Sequence, residues 1–269
     1  MLLRLLTIEI RKTLKHPAFW FGLAALLFLL ATFILIDHLQ IANGYRMTLG
    51  GLEKDLLAGL AFYNWISVLV YAVTASVIAA FDYPDRSIQL WLTRGVTRPL
   101  LLFARLLTTL LFGLILICFT VTAILCLGVL SRILFFGTVD MSNLNLAALI
   151  PVILRVFWSA IPYLALTVLL AVISRSPLFA AGGTIVYGSV FEMLAVQAGN
   201  KFPTLVRYLP VSLSQVLQTF NTNIDLAAPP LAADVAMLPE AHAILVIGIL
   251  FIAISTTSLV IFSRQDLGG

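Results

Sequence analysis

The amino-acid sequence predicts an all-α membrane protein with six transmembrane helices, an N-terminal amphipathic interfacial helix and both termini in the cytoplasm. The chain is 61% hydrophobic and only 10% charged, with a mean hydropathy of +1.09, whereas about 25% of the residues in soluble domains are charged. No charged residue occurs between Leu106 and Leu130, and a helix needs about 20 apolar residues to cross a bilayer. We expect one transmembrane domain over residues 1–269.

The first 17 residues predict a separate helix before the first span. Apolar residues recur on one side of this helix, and a second stripe is polar and mostly basic, which is typical of a helix lying in the membrane interface. Glu9 precedes Lys12 by three residues, a spacing that lets their side chains meet, and His16-Pro17 should end the helix. The alternative is a cytoplasmic segment at the start of the chain that is basic only because of the positive-inside rule. The apolar stripe is Leu3, Leu6, Ile10 and Leu14, and the charged residues of interest are Arg4, Glu9, Arg11, Lys12 and Lys15.

Six apolar runs predict spans at residues 18–36, 56–81, 100–130, 146–173, 177–196 and 241–262. An even number of spans places both termini on one side of the membrane. With the termini inside, the cytoplasmic ends carry twice as many basic residues as the external ends, which agrees with the positive-inside rule. The cytoplasmic set is Arg4, Arg11, Lys12, Lys15, Arg86, Arg94, Arg98, Arg105, Arg175 and Arg264. The external set is Arg46, Lys54, Arg132, Lys201 and Arg207.

The connection over residues 197–239 is long for a helical membrane protein. Within it, Leu213, Val216 and Leu217 share one helical side, and Pro210 suits a first turn. We expect a short amphipathic helix that either lies on the outer surface or enters the bundle. Its polar side would carry Ser212, Ser214, Gln215, Gln218 and Thr219.

The segment between the second and third spans, residues 82–99, is unusually apolar for a loop. Asp85 or Ser87 can cap a short helix, and Gly95 can end it. A short helix with exposed leucine and tryptophan is typical of a protein-docking element. The alternative is a basic cytoplasmic loop with one interfacial tryptophan.

In this segment the chain resembles the ABC-2 type permeases, the membrane subunits of one class of ATP-driven exporters. Asp82 occupies the acidic position at the end of the second span, Arg86-Ser87 a small polar position, and residues 92–98 the run from threonine to arginine. Ala104-Arg105 occupies the position at the start of the third span. The departures from the family pattern are Ser87, Gly95, Thr97 and Arg105, which stand where threonine, proline, serine and lysine are common.

The resemblance implies that residues 85–93 form a coupling helix that docks on a separate ABC ATPase subunit, which would bind ATP and Mg²⁺. It further implies a second permease chain, identical or not, and the inner membrane of a prokaryotic cell. Ile88, Leu90 and Trp91 would anchor the helix. The full set of coupling residues that the resemblance implies is Asp82, Asp85, Arg86, Ser87, Ile88, Leu90, Trp91, Leu92, Thr93, Arg94 and Arg98.

Arg155 and Glu192 are the two ionisable residues best placed within predicted spans, where a lone charge is costly and usually paired or functional. Counted from the turn near Arg175, Arg155 and Glu192 should reach similar depth in a helical hairpin. We expect that they pair, with the polar seam formed by Arg155, Ser159, Tyr163 and Glu192; alternatively each side chain extends separately to the headgroups. Thr167 continues the seam, and the facing helix presents Ala180, Thr184 and Gly188.

Several function classes are not supported by the sequence. It contains no phosphate-binding Gly-x-x-x-x-Gly-Lys-[Ser/Thr] loop, no metal-ligand spacing among its three histidines, and no basic run typical of nucleic-acid binding. Cys118 and Cys126 are expected to be free thiols, and we expect no enzyme activity and no cofactor on this chain. Besides the exporter permease, an ion-coupled transporter using Glu192 as a proton carrier and a non-transporting scaffold subunit remain possible.

Overall fold

A computed structural model of the protein describes residues 2–44, 51–80, 83, 95–139, 146–198, 201–219 and 238–265. These residues form helices and connections, and none of them is in a β-strand. The helices are α1 (Leu2–Lys15), α2 (Pro17–Ala42), α3 (Leu52–Ala80), α4 (Arg98–Phe136), α5 (Leu146–Ser174), α6 (Pro177–Ile185, continued by a π-helical turn at Val186–Phe191), α7 (Glu192–Gln197), α8 (Pro203–Val206), α9 (Pro210–Thr219) and α10 (Glu240–Arg264).

The six predicted spans are confirmed as helices. Within the described part of the chain, six helical segments are long and apolar enough to cross a membrane: α2, α3, α4, α5, the continuous α6–α7 segment and α10. The observed helices exceed the predicted spans by up to six residues at one end, as at Phe136, because a helix continues past the hydrocarbon until a residue such as Gly137, with φ of 69°, ends it.

Local sequence explains the breaks between helices. His16 is extended, its ring Nδ1 accepts a hydrogen bond from the Ala18 N–H at 3.2 Å, and Pro17 begins α2. The predicted break after α1 is therefore confirmed. At the tight turn between α5 and α6, Ser176 caps the following helix through the Phe179 N–H, and Arg175 has φ of 55°.

The helices surround a core in which α3, α4 and α5 are central. Tyr63, Tyr71 and Phe112 are fully buried there, and the two tyrosine hydroxyls lie 2.9 Å apart. The α6–α7 and α10 segments lie at the periphery. In the most apolar stretch of 18 residues of each segment, only 17% of the residues are buried within the chain. Their exposed apolar surface is available to lipid or to another subunit.

Two ends of the bundle can be distinguished by their contacts. The elbow end contains α1, the start of α4 and the end of α10, which meet through Glu9, Arg105 and Arg98. The far end contains the end of α2, the start of α3 and the end of α4, which meet through His38, Asp55 and Arg132.

Helix α9 is inserted against the bundle, which decides between the two alternatives for the long connection. Leu213, Val216 and Leu217 pack with Ile161 of α5 and Ile247 of α10. The predicted polar side is not fully solvated, because Ser212 and Ser214 are also buried. A hydrogen bond of 2.8 Å from Asn64 Nδ2 to Gln218 Oε1 connects this helix to α3.

Candidate coupling and transport sites

The elbow helix α1 is attached to the bundle through a buried carboxylate. Glu9 is 3% exposed, and its Oε1 atom lies 3.7 Å from Nε of Arg105, which is fully buried. Arg105 also donates from Nη1 to the carbonyl oxygen of Ala79 at 3.0 Å. One guanidinium therefore joins the elbow helix, the end of α3 and the start of α4.

One side of α1 is buried against the bundle, a contact that the prediction of an interfacial helix did not include. Leu5, Glu9 and Thr13 face the bundle, while Leu3 and Leu14 of the predicted apolar stripe are exposed. Glu9, a charged residue, lies at the centre of this buried side. Lys12 lies 3.6 Å from Glu9, as its spacing predicts, and Arg4, Arg11 and Lys15 point away from the buried side.

Most of the predicted coupling segment lies outside the described residues. This applies to Asp82, Asp85, Arg86, Ser87, Ile88, Leu90, Trp91, Leu92, Thr93 and Arg94. Two residues that flank it are described. The Arg105 guanidinium carbon lies 5.9 Å from the centre of the Tyr83 ring, and Arg98 begins α4.

Arg98 joins the start of α4 to the end of α10. Its Nη1 atom donates to the carbonyl oxygens of Ser263, at 3.0 Å, and Gln265, at 2.7 Å. Carbonyl groups at a helix C-terminus lack intrahelical partners and favour a cation. The Gln265 side chain in turn donates to the carbonyl oxygen of Val172 near the end of α5.

The predicted polar seam between α5 and α6–α7 is present in part. The hydroxyls of Thr167 and Thr184 lie 3.0 Å apart, and Tyr163 Oη donates to Glu192 Oε2 at 2.6 Å. Gly188 permits this approach, because a Cβ atom there would lie 3.2 Å from Cε1 of Tyr163 in α5 and 2.7 Å from the Val68 side chain in α3. The Ser159 hydroxyl instead bonds to the carbonyl oxygen of Val156 in its own helix.

Arg155 and Glu192 do not form the predicted ion pair. Arg155 Nε contacts Glu240 Oε1 at 2.7 Å, at the start of α10, and both side chains are partly exposed. Glu192 is fully buried, so it does not extend to the headgroups either. The hairpin register explains the error. Thr167 lies opposite Thr184, so Arg155 lies about one turn beyond Glu192, and the π-helical turn before Glu192 alters the register further.

Glu192 lies in an enclosed polar site beside α9. Its Oε2 atom accepts the Tyr163 hydrogen bond, whereas Oε1 has no hydrogen-bond partner among the described residues. Tyr187 and the backbone of Val211, in the first turn of α9, are the other polar groups near the carboxyl. A carboxyl in this setting can hold a proton, or an anionic charge stabilised by a helix N-terminus.

Sequence reasoning missed a buried network at the far end. Arg132 contacts both carboxylate oxygens of Asp55, through Nε to Oδ2 and through Nη2 to Oδ1 at 2.8 Å. His38 Nε2 lies 3.5 Å from Asp55 Oδ2, and its Nδ1 lies 2.7 Å from the Ser131 hydroxyl. The sequence did contain a signal for this network. Asp55 and Arg132 carry opposite charges and lie at the ends of spans that are predicted to reach the same side of the membrane.

No group suitable for binding a metal ion occurs among the described His, Cys, Asp and Glu residues. Cys118 and Cys126 are free and lie on the exposed surface of α4. No known family model matches the chain, and a search of curated proteins found no significant match.

Proposed function

We propose that this chain is the permease subunit of an ATP-driven exporter of the ABC-2 type, with both termini in the cytoplasm. The observation that carries the proposal is the Glu9–Arg105–Ala79 contact at the elbow end. It connects the elbow helix to both helices that flank the predicted coupling segment, residues 85–93.

This arrangement suits a subunit that receives force from a partner. The coupling segment would leave α3 after Ala80 and enter α4 at Arg98. Arg105 links these two helices to α1, and Arg98 links α4 to α10. A displacement of the segment would therefore act on four helices, rather than on a free loop.

The proposal assigns ATP and Mg²⁺ to a separate ATPase, since the sequence contains no phosphate-binding loop. A second permease chain would complete the path across the membrane. The outward side of α6–α7 supports this part of the proposal because it exposes large apolar residues, namely Phe179, Val186, Val190, Phe191, Met193 and Leu194.

The test is recovery of the ATPase with the tagged chain from gently solubilised native membranes. Wild type should copurify with a protein that carries a phosphate-binding loop, and the Trp91→Asp/Leu92→Asp variant should lose it, because two buried charges would disrupt an apolar docking helix. Phe202→Asp/Leu205→Asp is the matched control, since both residues are exposed and belong to the connection predicted to lie on the external side of the membrane.

An ATPase retained by the control and lost from the coupling variant supports the permease assignment. Recovery of no ATPase with wild type would contradict it. Equal loss from both variants would show that the effect is general destabilisation, and the coupling assignment would then be withdrawn.

An ion-driven transporter is the second candidate, and one observation favours it: Glu192 is fully buried with one oxygen unpartnered among the described residues. Proteoliposomes containing the chain alone distinguish the two. Proton uptake driven by a membrane potential that disappears in Glu192→Gln would favour ion coupling, whereas uptake only with the ATPase and ATP would exclude it.

A further inference from the structure

The junction between α1 and α2 forms an open cleft of about 450 Å³. It arises because α1 ends at Lys15, His16 is extended, and α2 starts in a new direction at Pro17. The lining is strongly basic and consists of Arg11, Lys12, Lys15, His16 and Pro17.

Two of the cations in the cleft lack a carboxylate partner among the described residues. Arg11 and Lys15 are exposed and lie one helical turn apart, whereas Lys12 is 3.6 Å from Glu9. Like charges at this spacing repel each other and destabilise a helix. An anion placed between the Arg11 and Lys15 side chains would remove that repulsion.

The aromatic residues beside the cleft indicate its depth in the membrane. The Trp20 side chain is 55% exposed, and its Nε1 atom donates to the carbonyl oxygen of Leu14 at 2.7 Å. Tryptophan is enriched at the level of the headgroups. Phe21 follows and is 75% exposed. A basic cleft is thus followed directly by apolar surface, in the order in which a phospholipid presents its phosphate and its acyl chains.

We propose that this cleft binds an anionic phospholipid, with the phosphate between Arg11 and Lys15 and an acyl chain along Trp20 and Phe21. Charge complementarity selects the phosphate, and the adjoining exposed aromatic surface selects a lipid over a soluble phosphate compound. The site does not depend on the exporter assignment, because it requires only that the chain is embedded in a membrane.

Native mass spectrometry of the full chain, purified in a neutral detergent and titrated with phosphatidylglycerol or phosphatidylcholine, tests the proposal. Wild type should retain phosphatidylglycerol in preference to phosphatidylcholine. Arg11→Gln/Lys15→Gln should weaken phosphatidylglycerol binding by roughly 30-fold, the effect expected for two basic residues close to anionic lipid.

Arg4→Gln/Arg264→Gln is the matched control. It removes the same net charge from two exposed residues of the elbow end that do not themselves line the cleft, and it should bind phosphatidylglycerol like wild type. Gel filtration of all variants checks that they remain folded. Equal weakening in both double variants, no preference in wild type, or displacement of the bound lipid by inorganic phosphate would each overturn the proposal.

Discussion

The elbow end and the far end of the bundle each contain a buried arginine paired with a buried carboxylate, but the geometry differs. At the far end, Arg132 engages both oxygens of Asp55. At the elbow end, Arg105 approaches Glu9 through one atom pair at 3.7 Å, beyond hydrogen-bond distance. Bidentate, hydrogen-bonded pairs compensate for lost hydration far better than single approaches. Among the described residues, Arg132 and Asp55 therefore form the tighter ion pair, and the predicted coupling segment adjoins the end with the looser pair.

The largest expected effect is from Asp55→Ala. It leaves the buried Arg132 guanidinium without its carboxylate, and we expect a loss of about 4 kcal/mol in the free energy of unfolding. Denaturant unfolding in detergent micelles measures this. Glu53→Ala, on the exposed side of the same turn, should stay within about 0.5 kcal/mol of wild type. A loss below about 1 kcal/mol in Asp55→Ala would show that the far end is not anchored by this pair.

Glu9→Ala should have a smaller effect, about 2 kcal/mol, because Arg105 retains the Ala79 carbonyl. The same unfolding measurement applies, with Lys12→Ala as the control that removes only the partly exposed partner of Glu9. If Glu9→Ala proves as costly as Asp55→Ala, the contrast between the two ends disappears.

Tyr163→Phe removes the hydroxyl that donates to the buried Glu192. We expect a loss of about 1.5 kcal/mol, since a hydrogen bond to a buried acceptor is lost without a change in packing. Tyr208→Phe, at a half-exposed tyrosine, should be close to neutral. An unchanged unfolding midpoint in Tyr163→Phe would mean that this hydrogen bond of the polar seam does not contribute to stability.

The smallest expected effect on stability is from Arg98→Gln, about 1 kcal/mol, because its two carbonyl contacts are partly solvated. Its effect on copurification of an ATPase should be larger, since the hydrogen bonds from the start of α4 to the end of α10 would be lost. Arg264→Gln is the control on the exposed surface. If the Arg98→Gln variant recovers the ATPase as well as wild type does, the contact between Arg98 and the end of α10 takes no part in coupling.

The six spans and the break at His16 were predictable because they depend on local properties of the chain. An apolar run of sufficient length and a proline at the start of a helix act without reference to distant residues. The seam at Thr167 and Thr184 was also predictable, because a tight turn at Arg175 fixes which residues of the two helices face each other.

The charge partners were not predictable, because each depends on how separate helices pack. Glu9 contacts Arg105 and Arg155 contacts Glu240, and the two residues of each pair are far apart in sequence. The Arg155–Glu192 prediction assumed an ideal α-helical rise, which the π-helical turn at Val186–Phe191 breaks. The insertion of α9 into the bundle likewise buries serines that its pattern marked as solvated.

Helix α10 has one further consequence, which follows from the contacts at its two ends. Arg98 binds the carbonyl groups where the helix stops, and Arg155 binds Glu240 where it starts. Its 25 residues span about 37 Å as a straight α-helix. An α-helix is stiff along its axis, whereas single side-chain contacts yield easily. Helix α10 is thus held at both ends by an arginine, and we expect it to move as one rigid body, so that a displacement at Arg98 would also displace Glu240.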